Sequence, residues 1–204
     1  MTTQTLGKQA FHRMNVLVIA AIAAWGVAVA YLAASGFYAS LYRPTIALIV
    51  AAGIALPVFV YAAAPLFRRY VEALGLRYLT AFHVWRIPAA LLFFWYGAHG
   101  LLPEAFVRNA AWGDLMAGAF ALALIFLPPT RLGYLAFHLF GFADFVLAVG
   151  TGLSFTLAGD PRMAPIVSLP MALIPLFGVG ISGATHLMAF DLLRRGFGRA
   201  GAGG

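Results

Sequence analysis

The 204-residue chain has no cysteine, a single lysine and few charges of either sign, six acids and thirteen bases making up 9% of its residues. Without thiols there are no disulfides, thiolate metal ligands or iron–sulfur clusters. Lys8 lies outside every long apolar run, which excludes a retinal Schiff base within one. No Gly-rich phosphate loop closes on Lys-Ser/Thr, so nucleotide-driven chemistry would need another subunit. No His-Glu-x-x-His pair is present either, and no metal site is expected. Asp114 and Asp144 lie in separate runs without a Gly-x-Gly-Asp context, so no catalytic residue is assigned.

What the chain has in excess is apolar surface. It is 63% hydrophobic, whereas a soluble domain is about 45–50% apolar and about 25% charged. Nineteen charges cannot cover a soluble domain of this length, so lipid is the expected solvent and the lipid bilayer the expected partner. The formal charge of +7 then reads as membrane topology, not as affinity for nucleic acid.

A bilayer core takes about 20 apolar residues per helix. Six runs qualify, at about 15–35, 44–66, 79–101, 111–128, 132–156 and 165–191, with breaks at Arg43-Pro44, Arg68-Arg69, Pro103-Glu104, Pro128-Pro129 and Asp160-Pro161-Arg162. None alternates with the two-residue period of a barrel strand. The expectation is an all-α integral membrane protein, one transmembrane domain over residues 1–204. It forms a bundle of six transmembrane helices with a flexible tail at 196–204. The first run is longer than the about 7–15 residues of a signal h-region and reads as a retained span.

Basic residues orient the bundle. With the N-terminus cytoplasmic, Lys8, Arg13, Arg68, Arg69, Arg77, Arg131, Arg194, Arg195 and Arg199 fall inside, against Arg43, Arg108 and Arg162 outside. Both termini are therefore expected in the cytoplasm, and a plasma (inner) membrane is the expected location. Interfacial belts are expected from Tyr38, Tyr42, Tyr96 and Trp112 outside and from Tyr61, Tyr70, Tyr78 and Tyr134 inside.

Charge buried in a span costs about 3 kcal/mol on insertion scales and marks candidate function. Most charges have a local partner at a surface: Glu104 with Arg108, Asp191 with Arg195, Asp160 with Arg162, and Glu72 among Arg68, Arg69 and Arg77. Three lie deeper. Arg86 is about 10 Å into the third run at 1.5 Å per residue, and Asp144 is near the middle of the fifth. Their depths match, so a pair between them is expected. Asp114 opens the fourth run, where a first-turn carboxylate suits the helix dipole. His83 stands three residues before Arg86, on the same helix face. His138 lies in the fifth run. His186 ends a row of small residues, Gly178 and Ser182, spaced four apart, which lets a neighbouring backbone approach. Pro57, Pro88, Pro170 and Pro175 interrupt the runs, and Pro88 frees the carbonyl of Val84 beside His83 and Arg86.

From Trp85 onward the chain resembles a group of small bacterial multi-pass membrane proteins without assigned activity. The resemblance covers about half the chain. It is carried by Arg86 with Pro88, Leu102-Pro103-Glu104, Trp112-Gly113-Asp114 with Gly118, and Gly141-Phe142-Ala143-Asp144. It continues through Gly150, Gly152, Leu169-Pro170-Met171-Ala172-Leu173-Ile174-Pro175 and His186-Leu187. It implies that Arg86, Asp114, Asp144 and His186 recur, and that amides stand in relatives where this chain has His83 and His138.

Three functional classes fit these residues. The first is a buried site of Arg86, Asp114, Asp144 and His186 that binds or carries a small solute or protons. No span has a polar stripe long enough to line an open channel. The second is a b-type haem protein ligated by two of His83, His186 and His138; otherwise no cofactor is expected. The third is a non-catalytic accessory subunit, in a larger membrane complex or a homo-oligomer.

Overall fold

A computed structural model describes residues 6–128 and 130–196. Arg199 and the tail beyond Gly196 lie outside the described residues. Among the described residues every regular element is helical: α1 (Lys8–Ala34), α2 (Phe37–Ser40), α3 (Arg43–Ala63), α4 (Pro65–Phe82), α5 (Arg86–Ala98), α6 (Glu104–Phe126), α7 (Arg131–Leu157) and α8 (Val179–Arg194). Three irregular segments stand between them among the described residues, 3-10 stretches at His83–Trp85 and Pro161–Val167 and a π segment at Ile174–Gly178 that runs into α8.

Five segments are long and apolar enough to cross a membrane: α1, α3, α6, α7 and Ile174–Arg194. The run expected at 79–101 is not one helix. It consists of the last turn of α4, a 3-10 turn at His83–Trp85, and the thirteen residues of α5. Pro88 falls in the first turn of α5, where a missing N–H costs nothing.

Other boundaries move for identifiable reasons. The second run stops at Ala63 because Ala64 precedes Pro65 and is driven to an extended conformation. The stretch after Pro65, read as a connection, is helical and amphipathic. It buries Tyr70, Val71, Leu76 and Leu79 and is bent at Gly75, whose φ of 71° suits only glycine. α6 begins at Glu104, directly after Pro103. Asp114 is therefore almost three turns into its helix, and the first-turn dipole role does not apply to it. The last run becomes a continuous helical segment only at Ile174, because Pro165 and Pro170 leave gaps in any ladder begun at 165.

The segment Ile174–Arg194 is the axis of the bundle. It is 67% buried over its most apolar window, against 11% for α1 and for α3, whose leucines and phenylalanines face outward. At one end of the bundle three arginines donate to the last-turn carbonyls of separate helices. Arg68 bonds Ala62 in α3 (2.5 Å), Arg77 bonds Ile125 in α6 (3.2 Å) and Arg131 bonds Leu193 in α8 (3.1 Å). Cations there complement the carbonyl ends of the helices. Glu72 pairs with Arg195 (2.5 Å) and not with its sequence neighbours, while Asp191 takes Arg195 (2.8 Å) and the hydroxyl of Tyr61 (2.7 Å). The tyrosine belt is only partly present: Tyr42 and Tyr78 face outward, but Tyr38, Tyr61, Tyr70 and Tyr134 are buried in the packing.

Candidate functional site

Arg86 opens α5 just after the 3-10 turn and is 3% exposed. Its guanidinium is fully engaged by two other helices. Nε donates to Asp114 of α6 (2.6 Å), Nη2 to Asp144 of α7, and Nη1 to the Gly141 carbonyl of α7 (3.2 Å). Arg86 and Asp144 thus meet, and Asp114 joins them as a third member. With both carboxylates ionised the triad carries a formal charge of 1 − 2 = −1.

Glycines make the triad possible. A Cβ on Gly113 would lie on the Asp144 carboxylate. On Gly118 it would stand 2.6 Å from Ile87 Cγ1 and 3.0 Å from the Ile87 nitrogen, so α5 and α6 approach there backbone to side chain. On Gly141 it would meet the His186 ring at 2.8 Å and Arg86 Nη1 at 3.5 Å. These three glycines are among the residues that carry the family resemblance in the sequence: Gly113 adjoins Asp114, Gly118 is four residues past it, and Gly141 is three before Asp144.

The three inner histidines converge beside the triad, from the 3-10 turn (His83), α7 (His138) and α8 (His186). All are 0% exposed. The His83 and His186 rings pack with centroids 4.1 Å apart and a 35° tilt, and His138 Nδ1 faces His186 Nδ1 at 2.9 Å. The outer nitrogens of two rings are held by threonines, His138 Nε2 by Thr80 (3.2 Å) and His83 Nε2 by Thr185 (3.1 Å). One ring nitrogen from each histidine lies within 4.8 Å of one from each of the others, a grouping able to hold a metal ion. No sequence spacing announces it, so the expectation of no metal site rested on local motifs alone. The haem alternative meets a steric objection. Axial ligation needs two rings approaching iron from opposite faces of a macrocycle, and here the His83 and His186 rings lie against one another, with Phe137 edge-on to His83 and tilted to His186.

The row Gly178, Ser182, His186 admits a side chain, not a backbone. The Trp85 indole occupies the space above Gly178, and its Nε1 donates to Ser182 Oγ (3.0 Å). His99 is exposed and bonds only the Trp95 carbonyl in its own helix (2.7 Å).

Arg86 also borders a cavity of about 280 Å³. Its walls are almost entirely apolar, drawn from α3 (Ile46, Ile54), α5 (Phe93), α6 (Ala110), α7 (Phe145, Gly152) and the segments before α8 (Met163, Ile174). Arg86, Asp114, Thr156 and Ser182 are the exceptions. Neither Asp144 nor any of the three histidines lines it. Arg86 therefore borders the apolar chamber, and the knot of imidazoles lies outside it.

Residues 43–194 match the family described as Domain of unknown function (DUF8737), and the chain belongs to that family. No curated protein and no solved structure matches the chain.

Proposed function

We propose that this DUF8737 protein is a six-span inner-membrane protein, with both termini cytoplasmic, that holds a small amphipathic solute in the chamber above Arg86 and Asp114. The composite helix from the Gly75 bend to Ala98 serves as the third span, being long enough at 1.5 Å per residue to cross. Exposed side chains such as Leu17, Val27, Leu48, Phe59 and Phe126 form apolar surface far beyond what a soluble monomer tolerates. That supports lipid as the surrounding medium. Arginines capping three helix ends on the side assigned to the cytoplasm support the orientation.

The observation that carries the binding reading is the cavity ending on a buried ion pair. Ligand sites are mostly apolar with a few convergent polar groups, and their volumes begin near about 300 Å³. This chamber suits a ligand of a few carbons. Of the two charged groups at its floor, Arg86 already donates to Asp114, Asp144 and the Gly141 carbonyl, so the Asp114 carboxylate is the group left to receive a head group that donates hydrogen bonds or carries positive charge. Carriage of the solute across the membrane is a further part of this reading, consistent with loosened backbone at His83–Trp85 and Ile174–Gly178 beside the site.

Hexylamine and hexanoate, equal in length and opposite in charge, test it. In nanodiscs, hexylamine should raise the unfolding temperature of the wild-type protein, and hexanoate should not. Ala110→Phe, which places a ring inside the chamber, should abolish the response to hexylamine. An equal response to both compounds, or one that survives the substitution, overturns the reading.

A further inference from the structure

The histidine knot is separate from the chamber and is not used by the function proposed for it. Its hydrogen bonds can be counted. Thr185 has one hydroxyl proton, and that proton is committed to a backbone carbonyl, Ile181 at 2.9 Å or Ser182 at 3.0 Å. Its oxygen can therefore only accept from His83 Nε2. This fixes His83 as the tautomer protonated on Nε2 and leaves a lone pair on Nδ1. That nitrogen is buried and has no partner, and neither has His186 Nε2. Unsatisfied polar atoms at full burial are rare and call for an explanation.

We infer that His83, His138 and His186 form a metal site for a single monovalent copper ion, Cu(I). Three features of the knot match a ligand set, while His186 Nε2 stays without a partner when Nδ1 ligates. The hydroxyls of Thr80 and Thr185 hold the outer nitrogens of His138 and His83, the outer-shell contact that orients metal-binding imidazoles. His138 Nδ1 and His186 Nδ1 stand 2.9 Å apart. Two nitrogens each about 2.0 Å from one ion at the roughly 120° of a three-coordinate centre are separated by about 3.5 Å, so an opening of the pair by about 0.6 Å admits the ion. His83 supplies the third nitrogen, the unpartnered Nδ1.

Charge selects the ion. Three neutral imidazoles bring none, and with both carboxylates ionised the adjoining triad carries −1. A monovalent cation then makes the buried cluster neutral, whereas a divalent one leaves a net positive charge in the apolar interior. Imidazole is a good ligand for copper, and copper(I) accepts three nitrogens without a fourth ligand, whereas zinc in proteins ordinarily takes four. The chain has no cysteine, so no thiolate enters the site.

The test uses the full chain in nanodiscs, loaded anaerobically with Cu(I) or with Zn(II), desalted, and assayed for retained metal by mass spectrometry. The expected result is one equivalent of copper, with X-ray absorption showing nitrogen ligands only, at about 2.0 Å. His83→Gln and His186→Gln should lose the copper, and His99→Gln should keep it. Thr185→Val removes no ligand and should weaken copper affinity about 10-fold or more through the loss of ring orientation. Absence of retained copper in the wild-type protein, or full retention by His83→Gln, overturns the site. Zinc retained in preference to copper overturns the choice of ion. If His83→Gln fails to fold, wild-type stoichiometry and the Thr185→Val affinity still decide. None of these readouts depends on the amphiphile chamber.

Discussion

Replacing Arg86 with glutamine should be the most damaging change of a single charge in the protein, and replacing either of its carboxylate partners should be much milder. The difference follows from counting charge around one buried guanidinium. Arg86 is 3% exposed and holds Asp114 and Asp144 together, with side chains 11% and 7% exposed. Arg86→Gln leaves two adjacent carboxylates without a cation. Removing one partner of a buried pair costs about 3–5 kcal/mol, because the remaining charge is uncompensated. Asp144→Asn leaves Arg86 paired with Asp114 and the site neutral, so the loss is one charge-assisted hydrogen bond, about 1.5–3 kcal/mol. Asp114→Asn is equivalent. Removing both carboxylates strands the arginine and should cost as much as Arg86→Gln. The triple variant Arg86→Gln, Asp114→Asn, Asp144→Asn has no buried charge and should recover much of the loss. A chain of this length shifts its midpoint by about 2–4 °C per kcal/mol. The severe variants should then melt about 6–20 °C lower, and Asp144→Asn closer to the wild type, in thermal unfolding followed by tryptophan fluorescence. Two results would refute the reasoning. One is Asp144→Asn as damaging as Arg86→Gln; the other is a triple variant no more stable than Arg86→Gln alone, since coupled neighbours must be non-additive.

Two further outcomes follow from the packing and the topology. Gly113→Ala puts a methyl group where the Asp144 carboxylate lies. It should destabilise by about 1–3 kcal/mol as an overpacked core does, while Gly150→Ala, with open space around its Cβ position, should melt near the wild type. The chain has no native cysteine, so single cysteines report topology without background. In intact cells an impermeant maleimide should label Glu104→Cys, at a side chain 93% exposed, and should not label Arg69→Cys; the reverse pattern inverts the proposed orientation.

The long elements were legible because their signal is long. A run of apolar residues in α1, α3 or α7 needs no partner to be recognised, and the α7 boundaries agree with the sequence reading to within a residue. What stayed hidden depends on partners. The stretch after Pro65 mixes arginines with leucines, and its helix is supported by the face it buries, Tyr70, Val71, Leu76 and Leu79. The third run was counted as one helix because hydropathy is blind to a 3-10 turn. Arg86 and Asp144 could be matched by depth alone, since both must avoid lipid. Asp114 could not be assigned to them until the start of α6 was fixed at Glu104, which moved it nearly three turns from the helix end. The threonines that orient the rings, Thr80 and Thr185, carry no signal in a sequence, because a hydroxyl in a membrane helix ordinarily bonds its own backbone.

The irregularity of the third run also explains where the site is. In a 3-10 turn residues three apart eclipse one another instead of drifting around the axis. His83 and Arg86 bracket such a turn and both reach α7, His83 beside the His138 ring and Arg86 at Asp144, while Trp85 turns to the small residues Gly178 and Ser182. A regular helix would set His83 and Arg86 about 60° apart, given about 3.6 residues per turn, on one face but less closely aligned. The facing segment, Ile174–Gly178, is wound as a π turn at the same level. Both helix irregularities thus sit beside the buried charge, where the backbone least resembles an ideal span and the side chains are most polar.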